Sequence, residues 1–442
     1  MKLIHLYTAV LLLSSLVLHG TNICIIGSGY VGLVTGTVLA DYGHRVTCVD
    51  IDKDKVQSLN KGDIPIYEPG VEDLLRKHVG NNLVFSTDAD ASIQNAQVIF
   101  IAVGTPMDED GSADMTALNA VVNKISSNIN TYKVICTKST VPIGTNKIIH
   151  TKLSYLYDTS LFDVVSNPEF LREGSALHDF IHRNPIVIGS TSDKALHVLK
   201  DIYKPLLDKH IPLIATDITS AETIKYTWNC FSAIKIAYIN EINELCEKVG
   251  ASIKDVTKGM SFSDNLLPIK NIIPGPGYGG SCLPKDTEAL ASIAQKYNSD
   301  VLLVRSAIES NRRQKQRNVS KIRKALSSMH HNRSQKTVTL LGLSFKAETD
   351  DIRNSPAIEI IHELIKDGVR VKAYDPVACG NMKKLYPDVL YYEDINKSVE
   401  DSDLIVVLTE WKDICSYISK NINNINQPVI DTRHVLDRVS HL

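Results

Sequence analysis

Apolar and polar positions along the chain follow two periods. Short apolar runs bounded by glycine or charged residues stand at 22–26, 44–49, 98–103, 134–138 and 164–166. Helix-like stretches separate them, and such alternation predicts a parallel sheet covered by helices on both faces. From 213 to 249 there is no Gly or Pro, and Ile224, Trp228, Phe231, Ile234, Tyr238 and Ile242 recur at three- and four-residue steps. This predicts one helix over 217–249, about 50 Å long, ended by Gly250 as a C-terminal cap. A helix of that length bridges two domains or packs against a partner chain. A Gly/Pro-rich loop follows at 274–280, and the polar, basic stretch 311–336 reads as a connector. Short apolar runs resume at 338–341, 369–374, 404–408 and 429–431. The expected fold class is α/β: two parallel-sheet domains joined by a long central helix.

With 442 residues, 43% of them hydrophobic, the chain can bury two or three cores. The formal net charge of -2 points to neither nucleic acid nor an anionic membrane surface. Eight cysteines are scattered without CxxC pairing, and no His cluster has metal-ligand spacing, so no metal is expected. Isolated cysteines within apolar stretches fit a reducing compartment. Residues 1–20 read as an apolar leader: Lys2 precedes a run from Ala9 to Leu18 broken by Ser14 and Ser15. That run resembles a signal-peptide core and falls short of the ~20 apolar residues of a membrane span. The first strand follows with no linker. The expectation is a cytoplasmic protein carrying an additional leader, or a start codon placed upstream, with no firm membrane partner.

Three constellations carry chemistry. Gly27-Ser28-Gly29-Tyr30-Val31-Gly32 lies between a strand and a helix. Gly27 permits the tight turn, Gly29 lets backbone approach a pyrophosphate, and Gly32 lets helix and sheet pack closely. The helix N-terminus offers free N–H groups to phosphate. Asp50, ending the second strand, stands where a carboxylate meets the ribose hydroxyls of a dinucleotide; it would repel a 2′-phosphate, so the expected cofactor is NAD and the expected domain type Rossmann-like. In the second, Gly279-Gly280-Ser281-Cys282-Leu283-Pro284-Lys285-Asp286, the glycines permit close approach of a ligand. A helix starting near Pro284 would lower the pKa of Cys282. The third is Lys225 and Asn229, four apart and so on one helix face. A desolvated Lys225 would have a lowered pKa and exchange protons near neutrality. Read alone, Cys282 is better explained as an inert buried thiol and Lys225 as a solvated lysine on a polar stripe.

Taken together, the residues resemble the UDP-glucose/GDP-mannose dehydrogenase family from 22 to 435. The matching segments are GSGYVG (27–32), IYEPG (66–70), VGTP (103–106), KSTVPIGT (138–145), NPEFLREGSA (167–176), AETIKYTWNCFSAIKIAYINEI (221–242), GPGYGGSCLPKD (275–286) and GLSFKAETDDIRNSP (342–356). The resemblance implies oxidation of a nucleotide-sugar C6 alcohol to a carboxylate. It implies an NAD-binding Rossmann domain over 21–212, a central helical dimerisation and substrate domain over 213–330, and a nucleotide-sugar-binding domain over 331–442. Asp50 and Lys55 would hold the adenosine ribose, while Thr105, Thr140, Glu173 and Lys285 would line the cofactor site. Arg353 would reach a cofactor across a subunit boundary. Glu169, Phe170, Leu171, Arg172, Glu173, Lys225, Asn229, Tyr278, Gly279 and Lys346 would contact the sugar nucleotide. Cys282 would be the nucleophile, helped by Lys225, Asn229 and Asp286, with Glu169 and Thr140 orienting the hydrolytic water. A homodimer or higher oligomer is implied.

One departure concerns sugar identity. Where UDP-glucose members carry Asp-x-Arg-Ile-Gly, residues 262–270 read FSDNLLPIK, and Cys282-Leu283-Pro284 resembles the GDP-mannose branch. UDP-glucose is the expected sugar on the YEPG and GPGYGGSC elements. GDP-mannose and UDP-N-acetylhexosamines are the alternatives. Two other classes share parts of this pattern. One is a non-catalytic nucleotide-sugar-binding regulator, against which the joint presence of Cys282, Lys225, Asn229 and Asp286 argues. The other is a single-oxidation hydroxyacid dehydrogenase, which needs no cysteine.

Overall fold

The computed structural model describes residues 20–261, 272–329 and 335–436. The apolar leader, apart from Gly20, and the divergent segment 262–270 lie outside the described residues. The first sheet has eight strands in the order β3-β2-β1-β4-β5-β6-β7-β8. They are β1 Asn22–Ile26, β2 Arg45–Val49, β3 Leu83–Ser86, β4 Val98–Ile101, β5 Lys133–Thr137, β6 Phe162–Ser166, β7 Ile186–Gly189 and β8 Leu213–Thr216. The second sheet has the order β11-β10-β9-β12-β13. Its strands are β9 Thr337–Leu341, β10 Arg370–Tyr374, β11 Leu390–Tyr392, β12 Leu404–Val407 and β13 Val429–Asp431.

Pairing is parallel throughout both sheets except between β6 and β7, which meet antiparallel at Ser166 and Gly189. The central strands β4 and β12 are buried at every position. Helices cover both faces, which is why these strands read as continuous apolar runs. In each sheet the order reverses beside its first strand, at β1/β4 and at β9/β12. Such a reversal opens a crevice at the carboxyl ends of the strands, and the segments after β1, β4, β5, β6 and β9 all emerge there.

The central helix, Ile218–Val249, begins at Asp217, whose carboxylate accepts from Ser220 N at 3.0 Å, and closes at Gly250 with φ 76°. It packs against the helices Leu283–Lys296 and Leu302–Ser327. The second of these corrects the expected connector at 311–336: most of that stretch belongs to a 26-residue helix. Its buried face carries Asn311, Gln314 and Asn318 among Val304, Ala307 and Ile322, so polar residues interrupt the apolar period. They are buried because they hold the Gly/Pro loop. Asn311 bonds both backbone groups of Tyr278, at 2.7 and 3.0 Å, Gln314 donates to Gly275 O at 2.7 Å, and Asn318 to Pro276 O at 2.8 Å. Among the described residues no helix is long and apolar enough to cross a membrane.

Candidate active site

The carboxyl ends of the strands enclose a cleft of about 600 Å³. Gly29, Tyr30, Val31, Thr105, Thr140, Glu169, Leu171, Glu173, Cys282, Lys285 and Arg353, all expected at the site, line it. Cys282 caps the N-terminus of the helix Leu283–Lys296. Behind it lie two buried polar pairs. Lys225 Nζ donates to Glu169 Oε1 at 3.1 Å, and Asn229 Nδ2 donates to Asp286 Oδ2 at 2.5 Å. Lys225 and Asn229 share one face of the central helix, as their spacing predicts. Asp286, 0% exposed, also receives Lys285 Nζ at 2.5 Å on its other oxygen. A buried carboxylate needs such donors on both oxygens.

The electrostatics correct two expectations. Burial pushes the Cys282 thiol up to about 11, and the neighbouring Lys225 ammonium offsets only part of this. Desolvation of the thiolate thus opposes the lowering expected from the helix terminus. Lys225 shifts opposite to expectation as well. Burial alone would lower it, but Glu169, Cys282 and Asp286 together hold its ammonium above the ordinary lysine range.

The glycines sit close to neighbouring protein. A Cβ on Gly279 would lie 2.5 Å from Asn354 O, and one on Gly280 2.9 Å from the Phe345 ring. Gly280 N donates to Arg353 O at 2.8 Å. Both glycines thus approach the segment after β9 closely, which fixes Cys282 against the second sheet's domain. Tyr278 is buried with its hydroxyl on Ala307 O at 3.4 Å, and neither it nor Gly279 lines the cleft. Arg172 makes a two-pronged pair with Asp179, each bond 2.7 Å. Phe170 is buried, its ring 5.3 Å from that of Trp228 and 5.3 Å from Lys225 Nζ. Lys346 Nζ lies 5.7 Å from the centre of the Phe345 ring, and burial pulls its ammonium below the ordinary lysine range. Arg353 pairs with Asp351 at 2.7 Å and with Glu173 at 3.5 Å. Both partners belong to the same chain as Arg353.

Sequence reasoning passed over several neighbours. Ser281 Oγ donates to Glu173 Oε1 at 3.1 Å and lies 3.5 Å from Cys282 Sγ. Thr349 Oγ1 reaches Glu173 Oε2 at 3.4 Å. Burial and the charge of Asp351, against Arg353, push the Glu173 carboxyl up to about 7. Lys138 is buried between Asn167 Oδ1 at 3.3 Å and Tyr203 OH at 3.5 Å, and burial pulls it down to about 8. The KSTVPIGT and NPEFLREGSA segments signalled Lys138 and Asn167, but nothing in the sequence showed that they meet.

The turn after β1 fits a dinucleotide. A Cβ on Gly29 would meet nothing within 4 Å, so open space adjoins the backbone there, whereas one on Gly32 would lie 1.8 Å from Gly27 O. The helix Tyr30–Asp41 has no side-chain cap, leaving its first N–H groups free for phosphate. The Ser28 hydroxyl is buried without a partner. Asp50 accepts from Ser28 N at 3.0 Å and from Lys55 Nζ at 2.6 Å, and these donors hold its carboxyl below the usual range against the cost of burial.

Three domain models of the UDP-glucose/GDP-mannose dehydrogenase family match the chain. They are its NAD binding domain over residues 21–207, its central domain over 219–313 and its UDP binding domain over 339–438. The chain is 42% identical over 413 residues to UDP-glucose 6-dehydrogenase TuaD of Bacillus subtilis, covering 92% of this chain and 88% of that protein. It is 39% identical over 422 residues to UDP-glucose 6-dehydrogenase of Rickettsia felis, covering 94% and 93%. Among solved structures, a UDP-glucose dehydrogenase from Pyrobaculum islandicum superposes with a TM-score of 0.88 at 31% identity over 96% of both chains. A UDP-D-ManNAc dehydrogenase from Pyrococcus horikoshii does so with 0.82 at 26% identity, over 94% and 96%. The chain belongs to the UDP-glucose/GDP-mannose dehydrogenase family and is an NAD-dependent nucleotide-sugar dehydrogenase.

Proposed function

We propose that the chain oxidises the C6 alcohol of UDP-glucose to the carboxylate of UDP-glucuronate, with Cys282 as covalent nucleophile. NAD, when bound, accepts the hydride given up by C6 in each of two oxidations. The observation that carries the reading is Cys282 at the cleft wall, backed by the Lys225–Glu169 and Asn229–Asp286 pairs. The UDP-glucose names of the relatives at about 40% identity support the choice of sugar.

In the first oxidation the alcohol proton leaves through a water held by Lys225 and Asp286; positioned base help of this kind is worth ~10²–10⁴-fold. The Cys282 sulfur then bonds to the aldehyde carbon, and the thiol proton passes to the carbonyl oxygen, giving a thiohemiacetal. Concerted transfer suits a buried thiol near 11 better than prior ionisation does. Lys225 and Asn229 donate to the oxygen as charge develops. In the second oxidation C6 gives up a hydride and the thiohemiacetal hydroxyl gives up its proton, again through the water held by Lys225 and Asp286, leaving C6 as a thioester of Cys282. Glu169, with Thr140, orients the water that breaks the C–S bond and returns the thiol. The covalent link keeps the aldehyde in place between oxidations.

Asp50 and Lys55 hold the adenosine ribose, and Thr105, Glu173, Lys285 and Arg353 border the cofactor. Phe170 to Arg172, Tyr278, Gly279 and Lys346 form the substrate side, directly or by positioning the loops that do. The division at 21–212, 213–330 and 331–442 follows these roles, except that β8 stays with the first sheet and moves that boundary to 216/217. Trp228, Phe231, Tyr238, Leu245 and Val249 are exposed along one stripe of the central helix. With Lys235 and Ile242 they repeat at alternating three- and four-residue steps, the seam of a helix that meets another helix. This supports a homodimer, which light scattering at assay concentration tests; an active monomer would contradict it. Dependence on NAD and a nucleotide sugar supports a cytoplasmic site of action. The substrate reading is tested with UDP-glucose, GDP-mannose and UDP-N-acetylhexosamines, each with NAD, by NADH absorbance. The highest kcat/KM is expected for UDP-glucose, and preference for another sugar would overturn the assignment.

A further inference from the structure

Glu68 lies in the IYEPG segment (66–70), to which the reaction assigns nothing. Its side chain is buried, with 4% of the residue exposed. Oε2 accepts from the Tyr30 hydroxyl and, at 2.5 Å, from Gly174 N, while Oε1 accepts from Ala176 N at 2.7 Å. These donors come from two functionally different places. Tyr30 is the first residue of the helix whose free N–H groups fit the cofactor phosphates, and it lines the cleft. Gly174 and Ala176 flank the loop that carries Arg172 and Glu173. The Tyr30 hydroxyl also lies 3.3 Å from Arg172 O.

The loop is confined from the other side as well. Gly174 has φ +77°, and a Cβ there would lie 2.4 Å from Glu348 O in the segment after β9. Tyr67, next to Glu68, brings its N–H to Asp350 Oδ1 at 3.5 Å and its ring edge-on to Trp411 at 6.2 Å. The 172–176 loop is therefore held between Glu68 and the second sheet's domain. Its Glu173 contacts Ser281, beside Cys282. An anchor serving the loop alone would need only the Gly174 and Ala176 bonds. The Tyr30 hydroxyl adds a bond that senses where the dinucleotide-binding turn sits, and bonds to an ionised acceptor are the strong ones.

We infer that Glu68 is a positioning residue which, through the Tyr30 hydroxyl, links occupancy of the dinucleotide site to the setting of the 172–176 loop and so to nucleotide-sugar affinity. The inference rests on the UDP-glucose reading above. Linkage of this kind is reciprocal between the two ligands and typically amounts to about 5- to 150-fold in affinity. Binding, rather than turnover, reads it directly.

The experiment is calorimetric titration of UDP-glucose into the full chain, with and without saturating NADH, for wild type, Tyr30→Phe and Glu68→Gln. NADH fills the dinucleotide site without permitting oxidation. Wild type is expected to bind UDP-glucose about tenfold more tightly with NADH present, within the range given for such linkage. Tyr30→Phe deletes one hydroxyl and keeps the ring. It is expected to bring the factor close to one at an NADH concentration that a separate NADH titration of the variant shows to be saturating. Glu68→Gln is expected to lose the same factor; should it fail to fold, Tyr30→Phe carries the test alone. An undiminished factor in Tyr30→Phe, or no factor in wild type, overturns the inference and leaves the substrate reading intact. Absence of UDP-glucose binding by wild type under both conditions overturns the substrate reading and the inference with it.

Discussion

Replacing Lys225 with Met keeps the length and most of the volume of the side chain and removes its charge. Lys225 is 3% exposed and Glu169 8%, and their 3.1 Å bond gives each its nearest opposite charge. Without Lys225, Glu169 is left with the Leu171 N–H as a donor. Removing one partner of a buried ion pair costs about 3–5 kcal/mol, because the other charge stays buried and uncompensated. Lys138, close enough to be influenced by Glu169, places the expected loss at about 3 kcal/mol, the lower end of that range. Catalysis should fall separately, by about 10²–10³ in kcat for loss of one donor to the developing oxyanion.

Urea denaturation followed by circular dichroism, with NADH initial rates, separates these effects across Lys225→Met, Glu169→Gln and the double variant. The double variant should be more stable than Lys225→Met yet no more active, since it leaves no unpaired charge. The folded pKa of Lys225 lies above its unfolded value. The pair's stabilisation is therefore fully present below about pH 10.4 and is lost only as pH rises through the folded value. Measurements at pH 7 and 9 should give the same difference. If Lys225→Met and the double variant unfold at the same urea concentration, Glu169 does not depend on Lys225 and the reasoning fails.

Asp286→Asn, which weakens the grip on Lys285 and the proton path, should lower kcat by about 10²–10⁴; steady-state kinetics check this. Glu173 titrates near 7 in the folded chain instead of 4.5, so the folded state binds the extra proton between those values. Its share of stability therefore falls as pH rises from 4.5 to 7. Glu173→Gln should remove that slope from a pH series of melting temperatures. Gly279→Ala must displace Asn354 O, 2.5 Å from the new Cβ. It should cost about 1–3 kcal/mol, seen as a lower Tm, with kcat reduced because the Cys282 loop moves.

Local pattern carried much of the architecture. β1 and β13 stand at their expected bounds, and the central helix begins and ends within a residue of expectation. Strands β3, β7, β8 and β11 escaped notice, and length is not the reason, since β4, β12 and β13 are as short and were legible. β8 has no fully buried position although Leu213, Ile214 and Ala215 are apolar, and it runs directly into the Gly- and Pro-free stretch that predicts the long helix. The outer helix was obscured by Asn311, Gln314 and Asn318, whose burial follows from a loop more than thirty residues earlier in the chain. At the site, the i, i+4 pair Lys225 and Asn229 was legible because one helix determines it. Its partners Glu169 and Asp286 became expectations only through family resemblance, since they stand more than fifty residues away. The direction of the Cys282 and Lys225 shifts was not legible at all, because it depends on how deeply the folded chain buries them.

The covalent role of Cys282 is the central claim, and the yield of NADH per UDP-glucose consumed tests it most directly. The measurement compares wild type with Cys282→Ala at limiting sugar and excess NAD. The account predicts two NADH per sugar from wild type. For the variant it predicts no second NADH at a useful rate, with UDP-glucose binding retained. Two NADH per sugar from Cys282→Ala at near wild-type rate would contradict the covalent mechanism.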